Sequence, residues 1–421
     1  MSGPIARLRG SASVGHTLAS VPATLIPGLC SGLGAVAIGK LTDDRTLGLV
    51  SLAVVTANFG AAVVSQATSG VALRTVASGE ARAADEYRLP TLRRGALAAL
   101  IAAVPALVLW ASGKELGPIL LLGAAWIPIQ ALVLFETEVQ RATQRFGTAS
   151  AWLSARALAS WAAGVWAADR FGATASAAAM VGASAVIVVL LSARGPWPRL
   201  TGAHRSELQF VGRPITRQAF ASYALGYADR YVVQALRGPA AVGLYSIGYV
   251  LGQGVVEVAM TPIIAALSPR IIREVSQDDA SVARRTTRGA AAILLGLGAL
   301  AIIGVVVAQA LGLLAYLTPE GSSTRQLAIV TVLVAMATAL QGIVRLAYAV
   351  LLAHRATLAA ARSFLITLGV AAVIVPALTA VGGVIGAALA TLLATGVLAG
   401  QMVWHARTHL GSPVLAPEVA G

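Results

Sequence analysis

Twelve apolar stretches, most of them about twenty residues long, occupy most of this chain and leave it little choice of fold. They cover approximately residues 17–39, 46–72, 95–112, 116–135, 147–168, 173–192, 215–235, 240–267, 289–311, 325–352, 357–379 and 382–404. A bilayer core is crossed by about 20 helical residues. Within lipid every backbone amide and carbonyl must be bonded inside the protein, so such stretches fold as helices. The expected fold class is an all-α integral membrane protein of about 12 transmembrane helices. Composition agrees, since 57% of the residues are hydrophobic and 11% charged, against about 25% charged in soluble domains.

The connections fix an orientation. The net charge is +14, from 31 basic and 17 acidic residues. In a soluble chain such an excess would point to nucleic acid. Here it collects after the second stretch, at Arg74, Arg82, Arg88, Arg93 and Arg94, and after the eighth, at Arg270, Arg273, Arg284, Arg285 and Arg288. Basic connections stay in the cytoplasm, which puts both termini there too and leaves no reason to expect a nucleic-acid partner. The single cysteine, Cys30, excludes an intrachain disulfide. Nucleotide-binding loops, HExxH, GxSxG and metal-ligand clusters are all missing from the sequence, so neither an enzyme nor a resident cofactor is expected.

The chain also repeats itself. Residues 41–51, LTDDRTLGLVS, are echoed at 236–246, so that Gly48 falls on Gly243 (243 − 48 = 195), Leu49 on Leu244, Ser51 on Ser246 and, further on, Asn58 on Gln253. The third and ninth stretches align at nearly the same offset. An even number of spans per copy gives parallel repeats related by an axis along the membrane normal. The expected organisation is a six-helix bundle at 1–193, a basic, Pro-containing cytoplasmic linker at 194–216, and a second six-helix bundle at 217–421.

With no soluble-type site, polar groups inside the spans carry the functional candidates, because placing them in lipid is costly. The seventh stretch carries Tyr223, Tyr227, Arg230, Gln234 and Arg237, and the eighth Tyr245, Tyr249, Gln253 and Glu257. Spacings of three and four place each set on one helix face. Ser51, Asn58 and Ser65 make a third stripe on the second stretch. A shared water-filled cavity would satisfy all three; the bland alternative is interfacial tyrosines and interhelical amides. The intramembrane acids Asp229 and Glu257 are the candidates for coupling to a proton or sodium gradient, against a local ion pair for Asp229. Arg156 and Arg345 lie about 13 Å from the cytoplasmic ends of their helices. They either snorkel back to the interface, face the cavity, or pair with Glu257.

Asp229-Arg230, Gly238-Pro239 and Val242-Gly243-Leu244-Tyr245-Ser246 resemble the mid-chain signature of bacterial polysaccharide flippases, which belong to the multidrug/oligosaccharidyl-lipid/polysaccharide exporter superfamily. Gln140-Arg141 through Arg145-Phe146 resembles the family's short basic loop. The resemblance implies two pseudo-symmetric six-helix bundles around a central cavity in the bacterial cytoplasmic membrane. It implies alternating-access flipping of an undecaprenyl-diphosphate-linked oligosaccharide, with membrane lipids and a polysaccharide assembly machinery as partners. A diphosphate calls for arginine forks. Arg230 is the deepest candidate in the cavity helices, with Arg74 and Arg217 nearer the cytoplasm for capture. Sugars suit tyrosine faces and amides, here Tyr223, Tyr227, Tyr245, Tyr249, Asn58 and Gln253. Such a cargo predicts a net positive cavity. The alternatives are a lipid II flippase or a cation-coupled multidrug exporter of the same superfamily, and, in a different class, a polytopic glycan polymerase or ligase.

Overall fold

The computed structural model describes residues 25–77, 81–143, 145–192, 201–210, 212–276, 280–318, 322–354 and 356–410. All regular structure among them is helical. Helix α1 (Leu25–Leu41) leads into α2 (Asp44–Ala77) and a 3-10 turn (Ala81–Tyr87). Then come α3 (Arg88–Ala111), α4 (Leu116–Ala142) and α5 (Phe146–Ser192). The short α6 (Gly202–Phe210) precedes α7 (Gly212–Arg237), α8 (Pro239–Ser276) and α9 (Ala280–Ala310). A one-turn α10 (Leu313–Leu317), α11 (Thr324–Ala353) and α12 (Thr357–His409) complete the chain. Residues 194–200 and 211, inside the stretch expected to link the halves, lie outside the described residues; the rest of that stretch contains α6 and the start of α7.

The longest helices are in fact hairpins. In α5 the backbone reverses at Gly172 (φ 79°, ψ −168°), and in α12 at Gly383 (φ 58°, ψ −137°). Only glycine visits such conformations without strain. Antiparallel packing follows on both sides: Ser176 Oγ donates to the carbonyl of Gly164 at 2.8 Å, and Ala371 and Val375 pack against Ala390 and Ala394. Eight described helices are long and apolar enough to span a membrane. Dividing the two hairpins and adding α1 and the more polar α7 gives the twelve spans read from the sequence.

Burial places the helices radially. In α2, 72% of the apolar window is buried, against 11% in α3 and 17% in α9. Helix α2 therefore sits at the centre, while α3 and α9 turn Leu97, Leu100, Ile101, Ile293, Leu300 and Ile303 outward to where lipid would lie. Lipid offers no hydrophobic drive between helices, so close backbone approach has to hold them. The closest approach joins the halves: a Cβ on Gly48 would lie 1.7 Å from the carbonyl oxygen of Pro239, and one on Gly243 would lie 2.2 Å from that of Asp44. Under the 195-residue repeat Asp44 maps to Pro239 and Gly48 to Gly243, so these two contacts are images of each other across a pseudo-twofold axis. The offset grows to 211 by the hairpin turns (383 − 172 = 211), because α10 and its flanking turns have no counterpart in the first half.

Alongside that crossing, α2 and α7 form a second seam between the halves. Thr56 and Tyr231 hydroxyls are 2.7 Å apart, Phe59 and Phe220 meet edge to face at 5.6 Å, and Gln66 donates to the Tyr223 hydroxyl at 3.2 Å. The 3-10 turn anchors α6, since Glu86 accepts from the Thr201 backbone at 2.8 Å and faces the His204 ring at 3.1 Å.

Candidate functional site

Between the halves, α1, α2, α5, α7 and α8 surround a cavity of about 220 Å³. The first half contributes Ser31, Ser51, Asn58 and Trp161, the second Tyr227, Arg230, Tyr249, Gln253 and Glu257. Tyr227, Tyr249, Gln253 and Glu257 also border a second space of about 340 Å³ that reaches Tyr223, Gln341 and Arg345. Tyr223 and Arg345 open in turn onto a third, of about 500 Å³, bounded by Gln66, Gln218, Ser268 and Tyr348. The three share walls and run along the axis of the molecule from Ser268 on α8 to Arg230.

Arg230 is the organising charge, with its side chain only 5% exposed. Its guanidinium carbon lies 3.8 Å from the centre of the Tyr249 ring, 5.5 Å from Tyr227 and 5.9 Å from Tyr245. Three aromatic faces around one cation replace much of the hydration it loses on burial. Nη1 also donates to the Gly226 carbonyl at 2.8 Å and to Asp229 Oδ1 at 3.3 Å. Tyr227 continues the aromatic row, stacking on Tyr223 with centroids 6.3 Å apart and planes 15° from parallel.

Asp229 supports this arrangement from behind. Oδ1 also accepts the backbone N–H of Arg230 at 2.8 Å, while Oδ2 accepts from Tyr245 at 2.6 Å and Thr391 at 3.1 Å. A carboxylate with both oxygens bonded and 1% exposure is sealed in. Tyr245, fully buried, belongs to this support and lines none of the three spaces. Glu257 is placed differently. It is 30% exposed, accepts from Gln253 Nε2 at 2.8 Å and pairs with Arg345 at 2.8 Å. Arg345 thus both faces the cavities and pairs with Glu257, two of the three placements weighed from sequence.

The first half supplies a quieter wall. Gln130 donates to Asn58 Oδ1 at 3.2 Å and accepts from Arg156 at 2.5 Å, while Trp161 donates to Ser31 at 3.2 Å. Ser65, third in the α2 stripe, is buried against its own helix through the Ala62 carbonyl. Arg217 is exposed and lines none of the three spaces, and the side chain of Arg74 lies outside the described residues. Trp161 is among the lining residues that the sequence does not mark, with Ser31, Gln66, Gln341 and Tyr348; it stands in an apolar run with no polar periodicity. Arg230 and Arg345 outnumber Glu257 in the walls by one charge, the sign anticipated, and Asp229 behind Arg230 offsets that excess. None of the described residues forms a cluster that could hold a metal ion.

No family model matches the sequence, and no curated protein matches it either. Solved structures do match in fold. The lipid II flippase MurJ in an inward closed conformation superposes with a TM-score of 0.71 at 13% identity, covering 91% of this chain and 86% of that one. An inward-facing multidrug resistance MATE family transporter of the MOP superfamily gives 0.64 at 13%, covering 93% and 94%. A MOP superfamily transporter from Pyrococcus furiosus, whose binding pocket has reverse polarity, gives 0.64 at 12%, covering 96% of each chain. The chain thus carries the twelve-span, two-lobe membrane fold of the MOP superfamily, shared with MATE transporters and the MurJ lipid II flippase.

Proposed function

We propose that this protein is an alternating-access flippase for an anionic, diphosphate-linked lipid oligosaccharide in the bacterial cytoplasmic membrane. The observation that carries the reading is Arg230, a cation at the junction of the halves, lining the cavity beside a row of tyrosines. The guanidinium fork suits a diphosphate, and Tyr223, Tyr227 and Tyr249 offer faces on which sugar rings stack. Gln253 and Asn58 supply amides at the same level. The connected spaces provide a route from the end at which α7 begins to Arg230, and the glycine crossing closes the route beyond it. That is the layout of a carrier open toward one face only. The two halves would be the rocking bodies, with the 194–216 segment joining them. A cationic drug as cargo is disfavoured by placing Arg230 in its path.

The test is a flipping assay in proteoliposomes with a fluorescent diphosphate-linked lipid oligosaccharide, at equal protein incorporation. Arg230→Ala removes a charge-assisted contact, with a loss of about 10- to 150-fold expected. Arg230→Lys keeps the charge without the fork and falls between the two. Normal flipping by Arg230→Ala would end this reading.

A further inference from the structure

A second charged recess lies away from the transport route, where α9 begins and α12 ends. On α9, Arg284, Thr287, Arg288 and Ala291 share one face, and Val403, Ala406 and Arg407 of α12, with Leu410 just past its end, do the same. Ile343, Leu346 and Ala347 of α11 form the floor of a groove of about 400 Å³ between them. The mouth is cationic and the interior apolar, and among the described residues no carboxylate lines it. Arg284 is braced across the mouth by donating to the Leu410 carbonyl at 3.2 Å. Arg288 and Arg407 are exposed and belong to no ion pair among the described residues.

The corresponding region of the first half shows what a structural arginine looks like here. Arg88, at the start of α3, is locked to Glu136 at 2.5 Å and Asp85 at 3.2 Å. Among the described residues nothing equivalent neutralises the α9 groove. Above it α9 presents Ile293, Leu300 and Ile303 to the membrane, so an acyl chain leaving the groove stays on apolar surface.

We propose that this groove binds an anionic phospholipid, its phosphate held by Arg288 and Arg407 beside the braced Arg284 and one acyl chain laid over the α11 floor. The site rests on no part of the transport reading. Three arginines with no acid partner among the described residues match a phosphate, and an apolar floor between membrane helices matches its chain; basic recesses between helices at the cytoplasmic surface recognise anionic headgroups in this way.

The experiment uses the purified full chain in mixed detergent micelles, reading retained lipid by native mass spectrometry and thermal unfolding in parallel. Phosphatidylglycerol is compared with phosphatidylcholine at equal concentration, and inorganic phosphate is added as a separate arm. The wild type should retain and be stabilised by phosphatidylglycerol alone. Arg288→Gln/Arg407→Gln should weaken that retention by about 30-fold, the effect of two charges near a membrane surface. Arg285→Gln, an exposed neighbour outside the groove, should retain the lipid as the wild type does. Ala291→Glu, which adds a carboxylate to the wall, should abolish selective retention and covers the case in which the double variant fails to fold. Equal retention of both lipids by the wild type would overturn the proposal. So would equal loss in Arg285→Gln, or the same stabilisation from inorganic phosphate.

Discussion

Replacing Gly48 with alanine should open the crossing between the halves. The new methyl would be 1.7 Å from the Pro239 carbonyl oxygen, and ordinary contact begins near 3.4 Å. The obstacle is backbone, so no side chain can swing aside; α2 and α8 have to part by on the order of 1.5 Å or slide, and overpacking of this kind costs about 1–3 kcal/mol. That penalty falls on the conformation with the crossing closed and on no other. At about 2 kcal/mol the ratio of closed to open shifts by about 30-fold. Gly243→Ala meets the Asp44 carbonyl at 2.2 Å and should act in the same direction, less strongly. Spin labels on Leu41→Cys and Leu236→Cys, both exposed beside the crossing, would report the separation in a Cys30→Ser background. Wild type should give one short distance, and Gly48→Ala a second, longer population. An unchanged distance distribution and an unchanged melting temperature in Gly48→Ala would refute the argument that this contact is the closed gate.

Two further outcomes follow from the same geometry. Asp229→Ala strands Arg230 in a buried site and should destabilise the protein by about 3–5 kcal/mol, whereas Tyr245→Phe removes one bond to a carboxylate and should cost about 1.5–3 kcal/mol; thermal unfolding in detergent would rank them, and the reverse order would contradict the supporting role of Asp229. Arg237 donates to the Thr379 and Ala380 carbonyls just before the Gly383 turn, so Arg237→Ala should lower the melting temperature and increase amide exchange at 379–384, an effect that should not spread to the turn at Gly172.

The spans were legible because apolar length is a strong signal, and the Gly48/Gly243 pairing because both residues answer one steric demand. Two features were harder to read. Tyr245 shares a stripe with Tyr249, yet it turns toward Asp229 and Thr391, a partner 146 residues further along the chain; periodicity assigns a face but not what stands opposite it. The arginines expected to capture cargo were chosen for nearness to the cavity helices. Arg345, which lines the inner spaces, lies on α11, where Gln341, Arg345 and Tyr348 make a further polar stripe at spacings of four and three, on a helix outside those expected to wall the cavity. The pairing of Arg345 with Glu257 is one of three placements the sequence leaves open, and only the docking of α8 against α11 selects it.

That pairing separates the two carboxylates read as coupling candidates. Asp229 is 1% exposed with both oxygens bonded, while Glu257 is 30% exposed and borders two connected spaces. An ion arriving from water reaches Glu257 without unpacking the core, and to reach Asp229 it would have to break the support of Arg230. Neutralising Glu257 also has a consequence that neutralising Asp229 lacks: it frees Arg345, raising the positive charge of the lining at the level where an anionic headgroup would first meet the cavity. Coupling and cargo capture would then share one switch. Glu257→Gln copies the neutral state, keeps Gln253 in hydrogen-bonding range and should tighten binding of the diphosphate lipid by up to about fivefold, the scale of a partly exposed charge pair, while flipping loses its dependence on the ion gradient. Arg345→Gln should weaken binding. Equilibrium binding of the labelled lipid to both variants decides the matter: if Glu257→Gln weakens binding as much as Arg345→Gln, the pair holds α8 to α11 and does not gate the cavity.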